Sequence, residues 1–197
     1  MTEDEIAERL RAGGLKLAFD TNAIEADSRR DAVCDSVSRW NARLAERSLA
    51  LVSLVVCAVV HHEKVFHLKR RFRGTFKPSV IIDGLKKKGL ITEPYDAQHA
   101  MATGAWLGER YPIANDWYRA KKERTLRSVG LDPSKVAAPG TGQGCGATVD
   151  WLIIGHARAE GCVLVSDDTG PEFAGLVERV KLETLEAALL KLVSESS

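Results

Sequence analysis

The strongest constraint on this chain is the alternation of short apolar runs with longer segments patterned as helices. Leu15-Lys16-Leu17-Ala18-Phe19, Leu49 to Cys57 and Val163-Leu164-Val165 are dense in aliphatic residues, and Leu90-Ile91-Thr92 and Val180-Lys181-Leu182 are two further candidate strands. Compact apolar runs of this kind suit parallel strands buried on both faces. Between them lie helical patterns. Residues 3–12 form a short one, and Val33, Val37, Trp40 and Leu44 mark one face of a helix over about 26–47. Val59, Val60, Phe66 and Phe72 supply apolar anchors for a helix over 58–72. Pro78 starts a short helix that Gly89 stops. Residues 96–109 and 114–128 follow, broken at Pro112, and then 148–160. Thr184 is placed to cap a last helix with Leu185, Leu189 and Leu192 on one side. Strands alternating with helices predict an α/β fold: a central, mostly parallel sheet covered on both faces.

A length of 197 residues with 45% hydrophobic content suits one domain, residues 1–197, with a sizeable core. The segment from about 110 to 147 departs from the alternation. It includes Ala137 to Gly146, where four glycines and a proline in ten residues imply a loop. Charge is balanced, 28 Lys+Arg against 27 Asp+Glu, so only a local patch would attract nucleic acid. The longest apolar run, Leu49 to Val60, is too short for a bilayer, which needs about 20 residues. The acidic start (Glu3, Asp4, Glu5) lacks an apolar signal region. Cys34, Cys57, Cys145 and Cys162 show no Cys-x-x-Cys spacing. A reduced, cytoplasmic protein without structural zinc is expected, and no membrane partner.

Two acids stand just past apolar runs. Asp20 follows Phe19, and Asp168 follows Val163-Leu164-Val165-Ser166-Asp167. In open α/β sheets, ligands bind beyond the carboxyl ends of the strands. Glu63 sits in the helix after the second strand, and Asp150 in the first turn of the helix after the glycine-rich loop. All four therefore belong near one rim. Each also has a plain structural reading. Asp20 could close an Asx turn, and Asp168 could form a turn before Gly170-Pro171. Glu63 could pair with Lys64 or His67, and Asp150 could simply favour a helix start. Together, four carboxylates repel unless cations neutralise them, and hard oxygen ligands suit Mg²⁺ or Mn²⁺. Such ions promote phosphodiester hydrolysis without a nucleophilic side chain.

These residues carry a family resemblance. Leu17-Ala18-Phe19-Asp20-Thr21-Asn22 resembles the opening strand of PIN-domain nucleases, and Cys57-Ala58-Val59-Val60-His61-His62-Glu63 is similar to that family's second acidic motif. Asp150-Trp151-Leu152-Ile153-Ile154-Gly155-His156-Ala157 resembles the third, and Val163-Leu164-Val165-Ser166-Asp167-Asp168 with Phe173 the fourth. The motifs occur in the family's order and span most of the chain. The resemblance implies a single PIN-like domain, a three-layer α/β/α sandwich. It implies a Mg²⁺- or Mn²⁺-dependent ribonuclease cutting single-stranded RNA, as in the toxins of VapBC-type toxin–antitoxin modules. Asp20, Glu63, Asp150 and Asp168 would be its catalytic, metal-binding acids. Asp168 is preferred to Asp167 because the family has one residue between the hydroxyl and the acid. Thr21, Asn22, Ser166 and Asp167 would orient the acids. The added segment at 110–147 separates this chain from the compact toxins, so an RNA-processing enzyme or a non-catalytic RNA-binding scaffold of the same fold stands beside the toxin reading.

His61 and His62 are adjacent, so on a helix they point about 100° apart and cannot both serve one ion; surface or partner-facing positions are expected. A Ser166/His156/Asp150 triad lacks a nucleophile elbow. Lys64, Lys69, Arg70, Arg71, Arg73 and Lys77 form one basic stretch. Arg119, Lys121, Lys122, Arg124 and Arg127, near Trp117 and Tyr118, form another, and are the candidate RNA-binding residues. The expected partners are the RNA substrate, an antitoxin that blocks the acidic rim, and a second copy of the chain packed through apolar helices.

Overall fold

A computed structural model describes residues 1–72, 77–110, 123, 126, 127, 130–132, 134, 149–168 and 175–195, with the side chains of 70 and 72 excepted. The strands among the described residues are β1 (Lys16–Phe19), β2 (Ser53–Cys57), β3 (Leu90–Glu93), β4 (Val163–Val165) and β5 (Arg179–Val180). All neighbours pair in parallel, in the order β3-β2-β1-β4-β5. The helices among the described residues are α1 (Glu3–Ala12), α2 (Thr21–Glu25), α3 (Asp27–Glu46), α4 (Ala58–Phe72), α5 (Ser79–Lys87), α6 (Ala97–Arg110), α7 (Val149–Ala159) and α8 (Leu182–Glu195).

The chain leaves β1 toward one edge through β2 and β3, then returns to β1's other side for β4 and β5. The crevice between the ends of β1 and β4 is thus the point where strand order reverses, the usual ligand position in such sheets. Consecutive residues Leu17, Ala18 and Phe19 are all buried, so both sheet faces are covered. On one side α3 and α1 pack against α8, and on the other α6 and α4 pack against α7. Val33, Val37, Trp40 and Leu44 are buried as their spacing predicts, and the Trp40 indole N–H donates to Leu10 O at 2.9 Å, tying α3 to α1. Gly155 lets α7 approach α6, since a Cβ there would meet Thr103 Oγ1 at 1.9 Å.

Several local expectations need correction. The apolar run at 49–57 becomes a strand only from Ser53; Leu49 and Leu51 are exposed in its approach. Phe66 is half exposed and anchors nothing in the core, whereas Val60 is fully buried. The last strand is Arg179–Val180, and the last helix begins at Leu182, so Thr184 lies inside it. The glycine-rich loop, Cys145 and most of 114–128 fall outside the described residues; Glu123, Leu126 and Arg127 are helical. Cys34, Cys57 and Cys162 are free, buried thiols. Among the described residues, no helix is long and apolar enough to cross a membrane.

Candidate metal centre

β1 ends at Phe19 and the next residue, Asp20, caps α2. Asp20 Oδ1 accepts the Thr21 N–H at 2.6 Å, so the Asx-type closure and the candidate site occupy the same carboxylate. Its Oδ2 faces inward, accepting from Ser166 Oγ at 2.8 Å and from Asn22 Nδ2 at 3.2 Å. Ser166 is fully buried just past β4, and Asp20 itself is only 2% exposed. The crossing from β1 to β4 therefore brings two motif residues 146 positions apart into direct contact.

Asn22 joins the third member. Its Nδ2 lies 3.3 Å from Asp168 Oδ2, and its Oδ1 accepts the Asp167 N–H at 3.2 Å. The Asp168 N–H in turn donates to Ser166 Oγ at 3.2 Å. Asn22 and Ser166 thus link Asp168 to Asp20. The neighbour of Asp168 turns away. The exposed Asp167 accepts the Leu182 N–H at 3.1 Å and so caps α8, a role that Thr184 was expected to fill.

Glu63 reaches the site from α4. Thr21 Oγ1 donates to Glu63 Oε2 at 2.5 Å, joining the helix after β1 to the helix after β2. Lys64 and His67, the partners a plain surface reading assigned to Glu63, instead lie 3.7 and 3.5 Å from Glu25. Asp150 stands in the first turn of α7, partly buried, and α7 packs against α4.

Electrostatics tie these acids together. Burial, above all, pushes the Asp20 carboxyl up to about 6; hydrogen bonds from Ser166 and Thr21 resist this, while the charges of Asp150 and Asp168 add to it. Asp20 is therefore within the field of two of the other three predicted acids. Among the described residues, no group of three or more His, Cys, Asp or Glu side chains is arranged to hold a metal ion as it stands. Asn22 Nδ2 stands between Asp20 Oδ2 and Asp168 Oδ2, and Thr21 Oγ1 engages Glu63 Oε2. In chemistry the donor set fits a hard divalent cation: it is all oxygen, and a desolvated carboxylate that carries its charge at a cost is stabilised by one.

The other candidates fall elsewhere. His62 is exposed, but His61 is half-buried, with Nε2 2.8 Å from Thr92 Oγ1, and so is not a surface histidine. Ser166 is engaged with Asp20, and His156 is buried against His99, so the Ser/His/Asp triad does not form. Arg127 is exposed and lies 3.8 Å from Glu123, whereas Arg119, Lys121, Lys122 and Arg124 are outside the described residues. Sequence reasoning missed α2, the Thr21–Glu63 bond and the Asp167 cap. The Asp-Thr-Asn run after a strand was a signal for the first, because Asp is a preferred N-cap.

No protein-family model and no curated protein matches the chain. Solved structures are similar to it, two of them VapBC toxin–antitoxin complexes. One is VapBC2 from Rickettsia felis bound to a promoter DNA fragment, at 14% identity, covering 85% of this chain and 98% of that one, with a TM-score of 0.37. The other is DNA-bound VapBC from Salmonella typhimurium, at 16% identity, with the same coverages and a TM-score of 0.39.

Proposed function

We propose that the chain is a metal-dependent endoribonuclease that hydrolyses phosphodiester bonds of single-stranded RNA. The observation that carries the reading is Asp20: a buried carboxylate at the sheet's switch point, raised by burial and by Asp150 and Asp168, and bonded by Ser166 and Asn22. Asp20 and Asp150 would hold a Mg²⁺ or Mn²⁺ ion, and Glu63 and Asp168 would complete the site. Such an ion, when bound, supplies the Lewis acidity that activates water and stabilises charge on the phosphate. The protein's own contribution is positioning. Ser166 and Asn22 aim the Asp20 carboxylate, and Thr21 aims Glu63, in the way that outer partners commonly orient metal ligands. Arg127, with Arg119, Lys121, Lys122 and Arg124, would grip the RNA backbone.

In a toxin role, an antitoxin would cover the acidic rim and present a basic side chain to it; in a maturation role no such partner is needed. A neighbouring reading frame for a small, basic-armed protein separates the two. The non-catalytic RNA-binding alternative draws on one observation, that the described acids do not close into an ion-binding group as they stand. The test is cleavage of single-stranded RNA with Mn²⁺, with and without chelator, by the wild type and by Asp20→Asn. Chelator-sensitive cleavage by the wild type alone supports the nuclease. RNA binding without cleavage across varied substrates supports the scaffold, and equal cleavage by both proteins removes Asp20 from the chemistry.

A further inference from the structure

Among the described side chains that donate to Asp20 Oδ2, only Asn22 also reaches the Asp168 carboxylate. Its Nδ2 stands 3.2 Å from Asp20 Oδ2, 3.3 Å from Asp168 Oδ2 and 3.3 Å from Ser166 Oγ. The far side of the amide fixes which end faces these oxygens. Asn22 Oδ1 accepts the Asp167 N–H at 3.2 Å, and only the carbonyl end can accept. Three oxygens therefore converge on one nitrogen that carries two hydrogens. All three contacts lie at or past the long end of the N–H···O range, as a shared donor requires. The other supports of Asp20 are firmer. Ser166 Oγ donates at 2.8 Å from a fully buried position, and the Thr21 N–H donates to Oδ1 at 2.6 Å. Asn22 is only partly buried.

We infer, on the reading of the rim as a divalent-metal site, that the Asn22 amide keeps the cation's place: it stands between Asp20 and Asp168 and leaves when an ion enters. Two facing carboxylates need positive charge between them, and an amide N–H₂ group offers only a fraction of one. A hard divalent ion such as Mg²⁺ bonds oxygen at about 2.1 Å, well inside the amide's contacts. The amide hydrogens point into the space such an ion would share with Asp20 Oδ2 and Asp168 Oδ2, so ion and amide exclude each other. Ser166 and Asn22 thus divide the work. Ser166, buried and closely bonded, goes on holding Asp20. Asn22, partly exposed and loosely bonded, is the member that swings aside. The swing takes Oδ1 away from the Asp167 N–H, while the Asp168 N–H keeps Ser166 Oγ. Ion binding is weakened by the bonds the amide gives up, so the same acids without Asn22 hold an ion more tightly.

The test is Mn²⁺ binding to the full chain by titration calorimetry, counting only the binding that Asp20→Asn removes. Asn22→Ala is expected to bind Mn²⁺ roughly tenfold more tightly than the wild type, the equivalent of one hydrogen bond to a charged group. Equal or weaker binding by Asn22→Ala overturns the place-keeping role alone, because the ion is still held. Absence of Asp20-dependent binding in both proteins overturns the metal reading itself, and the role of Asn22 with it. Where Asn22→Ala does not fold, hydrogen exchange in the wild type, read by nuclear magnetic resonance with and without Mg²⁺, replaces it. The Asn22 side-chain N–H₂ and the Asp167 N–H should both exchange faster with Mg²⁺ bound, while the Asp168 N–H stays protected. An Asn22 amide that keeps its protection when Mg²⁺ is bound overturns the inference.

Discussion

Two carboxylate clusters among the described residues are solved in opposite ways. Behind α6 and α7, Glu93 and Glu160 share Lys16, which sits 2.7 Å from each. Burial alone would lower the Lys16 ammonium, but its hydrogen bonds to Glu160 and Glu93 outweigh that and hold it above its ordinary range. At the rim, Asp20 meets Asp150 and Asp168, and its carboxyl is pushed up to about 6. There Asn22 and Thr21, which are neutral, are the bridging side chains. The cluster with a built-in lysine is a structural brace. The cluster bridged by neutral groups retains a charge that a cation from outside can satisfy, and that difference marks it as the candidate active site.

The largest expected effect separates the two clusters by activity. On the proposed function, Asp20→Asn should reduce RNA cleavage on the order of 10²-fold or more, because several kcal/mol of metal-borne stabilisation would depend on it. Glu93→Gln should leave cleavage within a few-fold. Initial rates on a fluorescent single-stranded RNA with Mn²⁺ measure both, and similar losses in the two variants would erase the distinction. Next comes Lys16→Met, which strands Glu93 and Glu160. It should cost about 1–2 kcal/mol in urea denaturation at pH 7.5, less than a fully enclosed pair because the Lys16, Glu93 and Glu160 side chains all reach solvent. Adding Glu93→Gln should recover part of that loss.

Asymmetry of this kind was only half visible from the sequence. The four candidate acids were singled out because each follows a local cue: Asp20 and Asp168 come just after apolar strands, Asp150 opens a helix, and Glu63 comes early in one. The parallel sheet was legible for the same reason, since Leu17-Ala18-Phe19 and Val163-Leu164-Val165 are buried on both sides and so are apolar throughout. Composition could not show that Leu49 and Leu51 are exposed while Leu54 and Val56 are buried, because only the strand's neighbours decide that. Nor could it reveal the brace, whose members Lys16, Glu93, His99, His156 and Glu160 come from β1, β3, α6 and the C-terminal half and end of α7 and are joined only by folding. The cap of α8 by Asp167 spans 15 residues and leaves no local trace either.

Removing the strained charge should itself stabilise the rim. A carboxyl at about 6 in the folded chain against an ordinary 3.8 favours the protonated folded form. That contribution is fully present below pH 3.8 and is lost as pH rises through about 6. In metal-free protein, Asp20→Asn should therefore gain up to about 3 kcal/mol over the wild type at pH 7.5, taking about 1.4 kcal/mol per pH unit, and nothing below pH 4. Thermal denaturation with chelator at the two pH values checks it, and Mn²⁺ should narrow the gap by stabilising the wild type alone. A gain that does not depend on pH would mean that Asp20 is not held under electrostatic strain.

The smallest effect distinguishes the two adjacent acids. Asp167 caps α8 through the Leu182 N–H, whereas Asp168 faces Asn22 at the rim. Asp167→Ala should cost about 1 kcal/mol of stability, the usual loss for a helix cap, and leave cleavage within a few-fold. Asp168→Ala should do the reverse, with little change in stability and a large loss of cleavage. The comparison is informative because both residues lie in one turn, so a shared disturbance of that turn would affect the two variants alike. A crossed pattern assigns one acid to the helix and the other to the site. If instead Asp167→Ala lost cleavage and Asp168→Ala kept it, the fourth acid would be the residue that now caps α8, and that helix would have to release it before an ion could bind.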